Sequence, residues 1–283
     1  METDVKEKIR KILRRLTLFD WLAVLVVLAG AVFLSLFIFK EEKWTKVEVK
    51  INRAEWWMGE GKDPPYWLSD NFSKGEKGYD SLGRKIAEVL DVRSYEWGGN
   101  TRTIYLTLNL KTEVDKRKKI LKFDHLPLQV GGPIELSLGK VGTKGLISYI
   151  EGVPDTRVKG ERIVEARLIE WSPKFQDTWG IMPWRADAVK IGDKVVDKNG
   201  NVLAEILDKK EKQADRVVPS ANGSLRLQSD PLNKDVFLTI KLKTIDQDGV
   251  DYFLDDYKVK VGQVIMLTLP EVDIWPEITK IDK

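Results

Sequence analysis

The residues that could do chemistry are few and scattered. The chain has 283 residues, one histidine and no cysteine. That removes thiolate nucleophiles, disulfides, thiolate metal sites and any His-rich cluster together. His125 stands in Lys122-Phe-Asp-His-Leu-Pro127. An adjacent Asp-His pair is no triad, because neighbours on a strand point to opposite faces, and His125 reads as a solvent-facing loop residue. Glu88 and Glu205 fall in matching stretches, Ala87–Asp91 and Ala204–Asp208. Paired carboxylates serve glycoside hydrolysis, but each sits beside an apolar strand neighbour and reads as an outward-facing strand residue. Asp246-Gln-Asp-Gly-Val-Asp251 sets hard oxygen donors around a glycine turn, as Ca²⁺ requires, without the spacing or the twelfth-position Glu of an EF-hand loop. These patterns predict no catalytic residue, no metal and no cofactor, and a protein that is not an enzyme.

Residues suited to interaction are more numerous. After Thr112 come Lys116, Arg117, Lys118, Lys119 and Lys122; after Thr244 come Asp246, Asp248, Asp251, Asp255 and Asp256. The two stretches correspond, so one hairpin is basic and its counterpart acidic. Such loops are either simply solvated or complementary, within the chain or head to tail between chains. Ten tryptophans include Trp56, Trp57 and Trp67 in one Gly/Pro-rich stretch and Trp171, Trp179 and Trp184 in another. They either cap a barrel end or form an aromatic platform for sugar rings or a partner protein. With 47 basic against 44 acidic residues, there is no electrostatic case for nucleic acid.

The elements that would hold these residues repeat. Val47–Ile51 returns as Val164–Leu168, 117 positions on, and at the same offset Trp67, Gly75 and Gly83 fall on Trp184, Gly192 and Gly200. Leu106–Thr112 returns as Leu238–Thr244 at an offset of 132, and Val130-Gly131 as Val261-Gly262 at 131. The second copy therefore carries 15 extra residues between Asp208 and Asp235, including the turn-rich Pro219–Ser224. Alternation at Ile104, Leu106, Leu108 and Leu110, and at Ile265, Leu267 and Leu269, predicts strands with one buried face. Asp80–Gly83 and Asp197–Gly200 predict tight turns with glycine at positive φ. A weaker echo inside the second copy, Val189–Val195 against Val259–Ile265, predicts half-motifs. The expected fold is all-β: two tandem barrels of about six strands, cradle-loop or SH3-like, spanning 44–158 and 160–283.

Ahead of them, Trp21–Phe39 carries no charge over 19 residues, about the ~30 Å of a bilayer core at ~1.5 Å per residue. Lys6, Lys8, Arg10, Lys11, Arg14 and Arg15 precede it and a balanced segment follows. The positive-inside rule predicts a cytoplasmic segment 1–20, one transmembrane helix 21–39 and extracytoplasmic β modules. A basic amphipathic helix over Lys6–Leu18 would lie on the inner surface. Cleavage as a signal peptide after Ala29-Gly30-Ala31 would leave an apolar terminus, so the helix is expected to be retained.

The layout resembles an uncharacterised bacterial family of unknown function. Its pattern is an Asp-containing entry to one membrane helix, a V-E-V strand and an I-x-x-G-D-x-V-x-D-x-x-G hairpin. Leu18-Phe-Asp20, Val164–Leu168 and Val189–Gly200 carry it here, while Glu76 replaces the aspartate in the first copy. The resemblance implies an envelope location and no activity. Val189–Ile206 also looks like the half-motif of biotinyl-lipoyl and membrane-fusion adaptor domains, without the former's attachment lysine motif or the latter's helical hairpin. The expectation is a non-catalytic cell-membrane protein that assembles with itself or another envelope protein, or alternatively a glycan-binding or polysaccharide-export accessory.

Overall fold

The computed structural model describes residues 17–38, 42–51, 64–96, 102–115, 120–170, 180–255 and 257–282, with the side chains of 18 and 32–38 left aside. They are mostly β, in curled antiparallel sheets. The chain divides into two compact units, one of residues 1–44 with 111–127 and one of residues 45–110 with 128–283.

The smaller unit holds helix α1 (Leu18–Ile38), the start of β1 (Glu42–Ile51), the end of β4 (Arg102–Asp115), β5 (Ile120–Phe123) and β6 (Leu126–Pro127). The helix starts three residues before the charge-free run. Thr17 and Asp20 cap it reciprocally: the Thr17 N–H donates to Asp20 Oδ2 at 2.8 Å and the Asp20 N–H to Thr17 Oγ1 at 3.4 Å. Hydropathy does not register such a cap. Phe19 to Ala31 are all exposed, Phe19 by 81% and Val27 by 70%. Among the described residues no helix is long and apolar enough to cross a membrane. The expected amphipathic segment lies almost wholly outside the described residues. In the hairpin β4–β5, Glu113 faces Lys122 and Asp115 faces Ile120. Asp124 and His125, at φ 46° and 66°, then turn the chain into β6, and His125 is exposed there.

Within the larger unit two successive runs of strands share the same order and register. The first copy comprises β1, a 3₁₀ turn (Tyr66–Asn71), β2 (Lys77–Tyr79), β3 (Lys85–Glu96), β4, β7 (Pro133–Leu138) and β8 (Val141–Ile150). The second comprises β9 (Val158–Leu168), α2 (Pro183–Ala188), β10 (Lys194–Val196), β11 (Val202–Pro219), β12 (Leu225–Gln247), β13 (Val250–Phe253), β14 (Tyr257–Lys258), β15 (Leu267–Thr268), β16 (Asp273–Ile274) and β17 (Pro276–Asp282). Sheet order β2-β3-β4-β1-β8-β7 is matched by β10-β11-β12-β9-β17. Registers match too: Ala87 faces Leu110 as Ala204 faces Leu242, and Val47 faces Ile150 as Val164 faces Ile281. No pairing among the described strands joins the two sheets. The alternating residues form the cores, with Leu106, Leu108, Leu110, Ile240 and Leu242 all fully buried, each worth ~1.5–3 kcal/mol against exposure.

One pair of backbone hydrogen bonds recurs at four glycine turns among the described residues. The Gly75 N–H donates to Val89 O and the Val89 N–H to Glu76 O, and Gly192, Ile206 and Asp193 do the same. So do Gly131, Ile147 and Gly132, and likewise Gly262, Ile278 and Gln263. Each leading glycine has φ between 80° and 90°, a backbone position that side chains disfavour. Within the first copy the Gly139 N–H reaches from β7's end to Lys77 O at 3.2 Å, bringing the outer strands β2 and β7 together. The 15 extra residues lengthen β11 and β12 into a two-stranded arm, with Asp215 facing Ser229 and Pro219 facing Leu225. Its tip exposes Val217, Leu225 and Leu227.

Candidate functional site

The most elaborate polar geometry in the larger unit lies where the two copies meet. It starts with a turn. Asp197 Oδ1 accepts the N–H groups of Asn199 and Asn201 at 2.9 and 2.8 Å, and the Gly200 N–H, at φ 81°, donates to Asp197 O at 3.0 Å. This folds Asp197–Gly200 so that its two central residues point away from their own copy. The Lys198 N–H donates to Ser94 O at 2.7 Å and Asn199 Nδ2 to Val92 O at 3.2 Å, covering the open edge of β3. Lys198 Nζ donates to Ser69 O at 2.8 Å, at the end of the 3₁₀ turn, and lies 3.2 Å from Asp70 Oδ1. The Lys198 hydrogen bond holds the Asp70 carboxyl below the usual aspartate value.

A second contact sits beside it. The turn after β13 holds Leu254 and Asp255 at φ 53° and 63°. Tyr95 OH of the first copy donates to Leu254 O at 3.1 Å and Tyr105 OH to Asp255 Oδ2. The two rings lie 6.2 Å apart. Burial raises the Tyr105 phenol well above its ordinary value, with Tyr95 and Asp255 adding to the shift. Arg93 lies 5.1 Å over the Tyr105 ring and pairs with Glu48 at 2.5 Å. Burial works against the Arg93 charge, but Glu48 more than offsets it and the guanidinium's pKa is raised. Ser148 Oγ completes the cluster by donating to Glu48 Oε1 at 2.9 Å.

The residues singled out in the sequence distribute differently. Lys116, Arg117, Lys118, Lys119, Asp256, Trp56, Trp57, Trp171 and Trp179 lie outside the described residues. Lys122 pairs with Asp115 of its own hairpin at 2.8 Å. Asp251 accepts from Arg162 Nε at 2.7 Å, Asp255 from Tyr105, and Asp246 Oδ1 from the Gly249 N–H at 3.1 Å, while Asp248 holds the turn at φ 55°. The acidic stretch thus engages three carboxylates within the molecule, Asp246 inside its own turn and Asp251 and Asp255 with other strands. Among the described residues no three His, Cys, Asp or Glu side chains gather as a metal site. Glu88 pairs with Lys85 of its own strand, and Glu205 with Lys194 of the adjacent strand at 3.3 Å. Trp67 and Trp184 hold matching positions in the two helical turns, 50% and 62% exposed, and Arg185 lies 5.0 Å over the Trp184 ring. A cleft of about 280 Å³ opens beside residues 151–157, which join β8 to β9, and is lined by Ser148, Tyr149, Asp155, Arg157 and Gln247 among others. Asp155 already engages Arg157 there, at 2.9 and 3.0 Å.

Sequence reasoning missed the contact between the copies. Its signal was present: Tyr95 and Tyr105 occupy the outward phase of β3 and β4. Thr103, Ile104, Tyr105 and Leu106 are buried in succession, which means both faces are covered.

No known protein family, curated protein or solved structure matches this chain.

Proposed function

We propose that the protein is a membrane-anchored, extracytoplasmic interaction protein of the cell envelope, built on two small tandem β-barrels and without catalytic activity. One observation carries the interaction role. A surface turn of one module, Asp197–Gly200, is shaped to dock on the strand edge of another module at Val92 and Ser94. This contact between modules, made within the chain through backbone carbonyls, supports a protein-binding rather than a catalytic use of the fold. The approach of Gly139 to Lys77 supports curling into barrels. The anchor reading rests on the charge-free run Trp21–Phe39 and on the basic residues before it. Self-association through the basic Lys116–Lys122 and acidic Asp246–Asp256 stretches belongs to this reading. A reporter fused after Lys283 tests the topology: accessibility to protease in intact cells is expected, and a protected C-terminus refutes the anchor's orientation.

A second reading rests on Trp67 and Trp184, exposed at matching positions. Glycan binding through these faces predicts quenching of tryptophan fluorescence by envelope polysaccharide, lost when both are changed to Ala.

A further inference from the structure

The contact between the copies is heterologous: a turn of the second copy meets an edge of the first. Such contacts extend indefinitely unless something stops them. Two half-sites remain, the edge of the second copy and the turn of the first, and together they would let chains join head to tail.

We infer that both remaining half-sites are closed to a second copy of this chain, so that the turn-to-edge contact is used once, within the molecule. Consider first the edge of the second copy. Val92, Arg93, Ser94 and Tyr95 correspond to Lys209, Lys210, Glu211 and Lys212, and Tyr105 corresponds to Phe237. Both phenols that receive the Leu254–Asp255 turn are therefore missing. Ser69 corresponds to Ala186, and Lys209 Nζ donates to Ala186 O at 2.6 Å and to Val189 O at 2.8 Å. The carbonyl that would accept an incoming Lys198 is thus filled by a lysine of the same copy. Asp70 corresponds to Asp187, which Lys234 already reaches at 2.9 Å while also holding Glu211 at 2.9 Å. The edge itself carries Lys210, Glu211 and Lys212, all exposed, and charges along an edge resist strand addition. On the first copy's turn, Ser81 and Leu82 replace Lys198 and Asn199. The backbone is the same, with Asp80 Oδ1 accepting the Leu82 and Arg84 N–H groups at 2.9 and 2.8 Å. No ammonium or side-chain amide projects from it, and Leu82 is 75% exposed.

The test restores one half-site at a time in the full chain, held in detergent micelles at 1 M salt to suppress association by the charged hairpins. The edge variant carries Lys209→Val, Lys210→Arg, Glu211→Ser, Lys212→Tyr and Phe237→Tyr. The turn variant carries Ser81→Lys and Leu82→Asn. Each alone should keep the wild-type mass by light scattering, and an equimolar mixture should double it. Lys209→Val alone serves as the edge partner if the larger graft does not fold. A mixture of folded variants with the mass of wild type overturns the inference. Hydrogen exchange of the wild type gives an independent reading: residues 91–95 should exchange at least tenfold more slowly than 208–212, and equal rates overturn it as well.

Discussion

Ser69 and Ala186 are the same position of the module, 117 residues apart, and the carbonyl of each accepts a lysine ammonium, from Lys198 at 2.8 Å and from Lys209 at 2.6 Å. In the first copy the lysine comes from the other copy; in the second it comes from the neighbouring strand. One acceptor, two sources, distinguishes the joined face from the closed one.

Changing Lys198 to Ala should therefore loosen the copies without unfolding either. Loss of a charge-assisted bond of this kind costs ~1.5–3 kcal/mol, and exchange should rise in residues 91–95 while the core strand 104–110 stays protected. Unchanged exchange at 91–95 refutes the role of the side chain.

Alkaline titration probes the second contact. The Tyr105 phenol is raised above its ordinary 10.0, so its neutral form stabilises the fold. That contribution is complete below pH 10 and is lost as pH rises through the higher folded value. One tyrosine should ionise late, together with unfolding, and Tyr105→Phe should abolish that late step.

Acid acts on the first contact with the opposite sign. Asp70 is lowered by the bond from Lys198, so its contribution is present above 3.8 and is lost as pH falls through the lower folded value. Asp70→Asn should flatten the acid limb of a stability profile below pH 4; an unchanged limb counts against the pairing.

Gly145 marks a close approach. A Cβ there would stand 2.5 Å from Val49 Cγ1 and 2.8 Å from Lys50 O. Gly145→Val should cost ~1–3 kcal/mol in urea unfolding, as overpacking does, and a neutral effect would show that β1 and β8 can part locally.

The arm offers the reverse expectation. A two-stranded ribbon alone is marginally stable, so joining Asp215 to Ser229 through Asn-Gly should change stability by no more than ~0.5 kcal/mol. A large loss would mean that Val217, Leu225 and Leu227 support the body.

Much of this fold can be read from the chain because its grammar is local. Leu106, Leu108 and Leu110 announce a strand by period, and Gly75, Gly131, Gly192 and Gly262 announce turns by their tolerance of positive φ. The repeat offsets follow from counting alone. The contact between copies is less legible because Lys198 and Asn199 bind carbonyl oxygens at Val92, Ser94 and Ser69, and a carbonyl has no residue signature. The pairing of a basic with an acidic hairpin was suggested by charge counts, which do not say that Asp255 is taken by a tyrosine.

The copies are joined by only seven residues, 151 to 157, between the end of β8 and the start of β9. A tether that short holds the turn near the edge at an effective concentration of about a millimolar or more. The contact can then close fully with an intrinsic affinity too weak to join separate molecules at cellular abundance. Proteolysis between Gly152 and Thr156 would turn a unimolecular docking into a bimolecular one and release the two faces together.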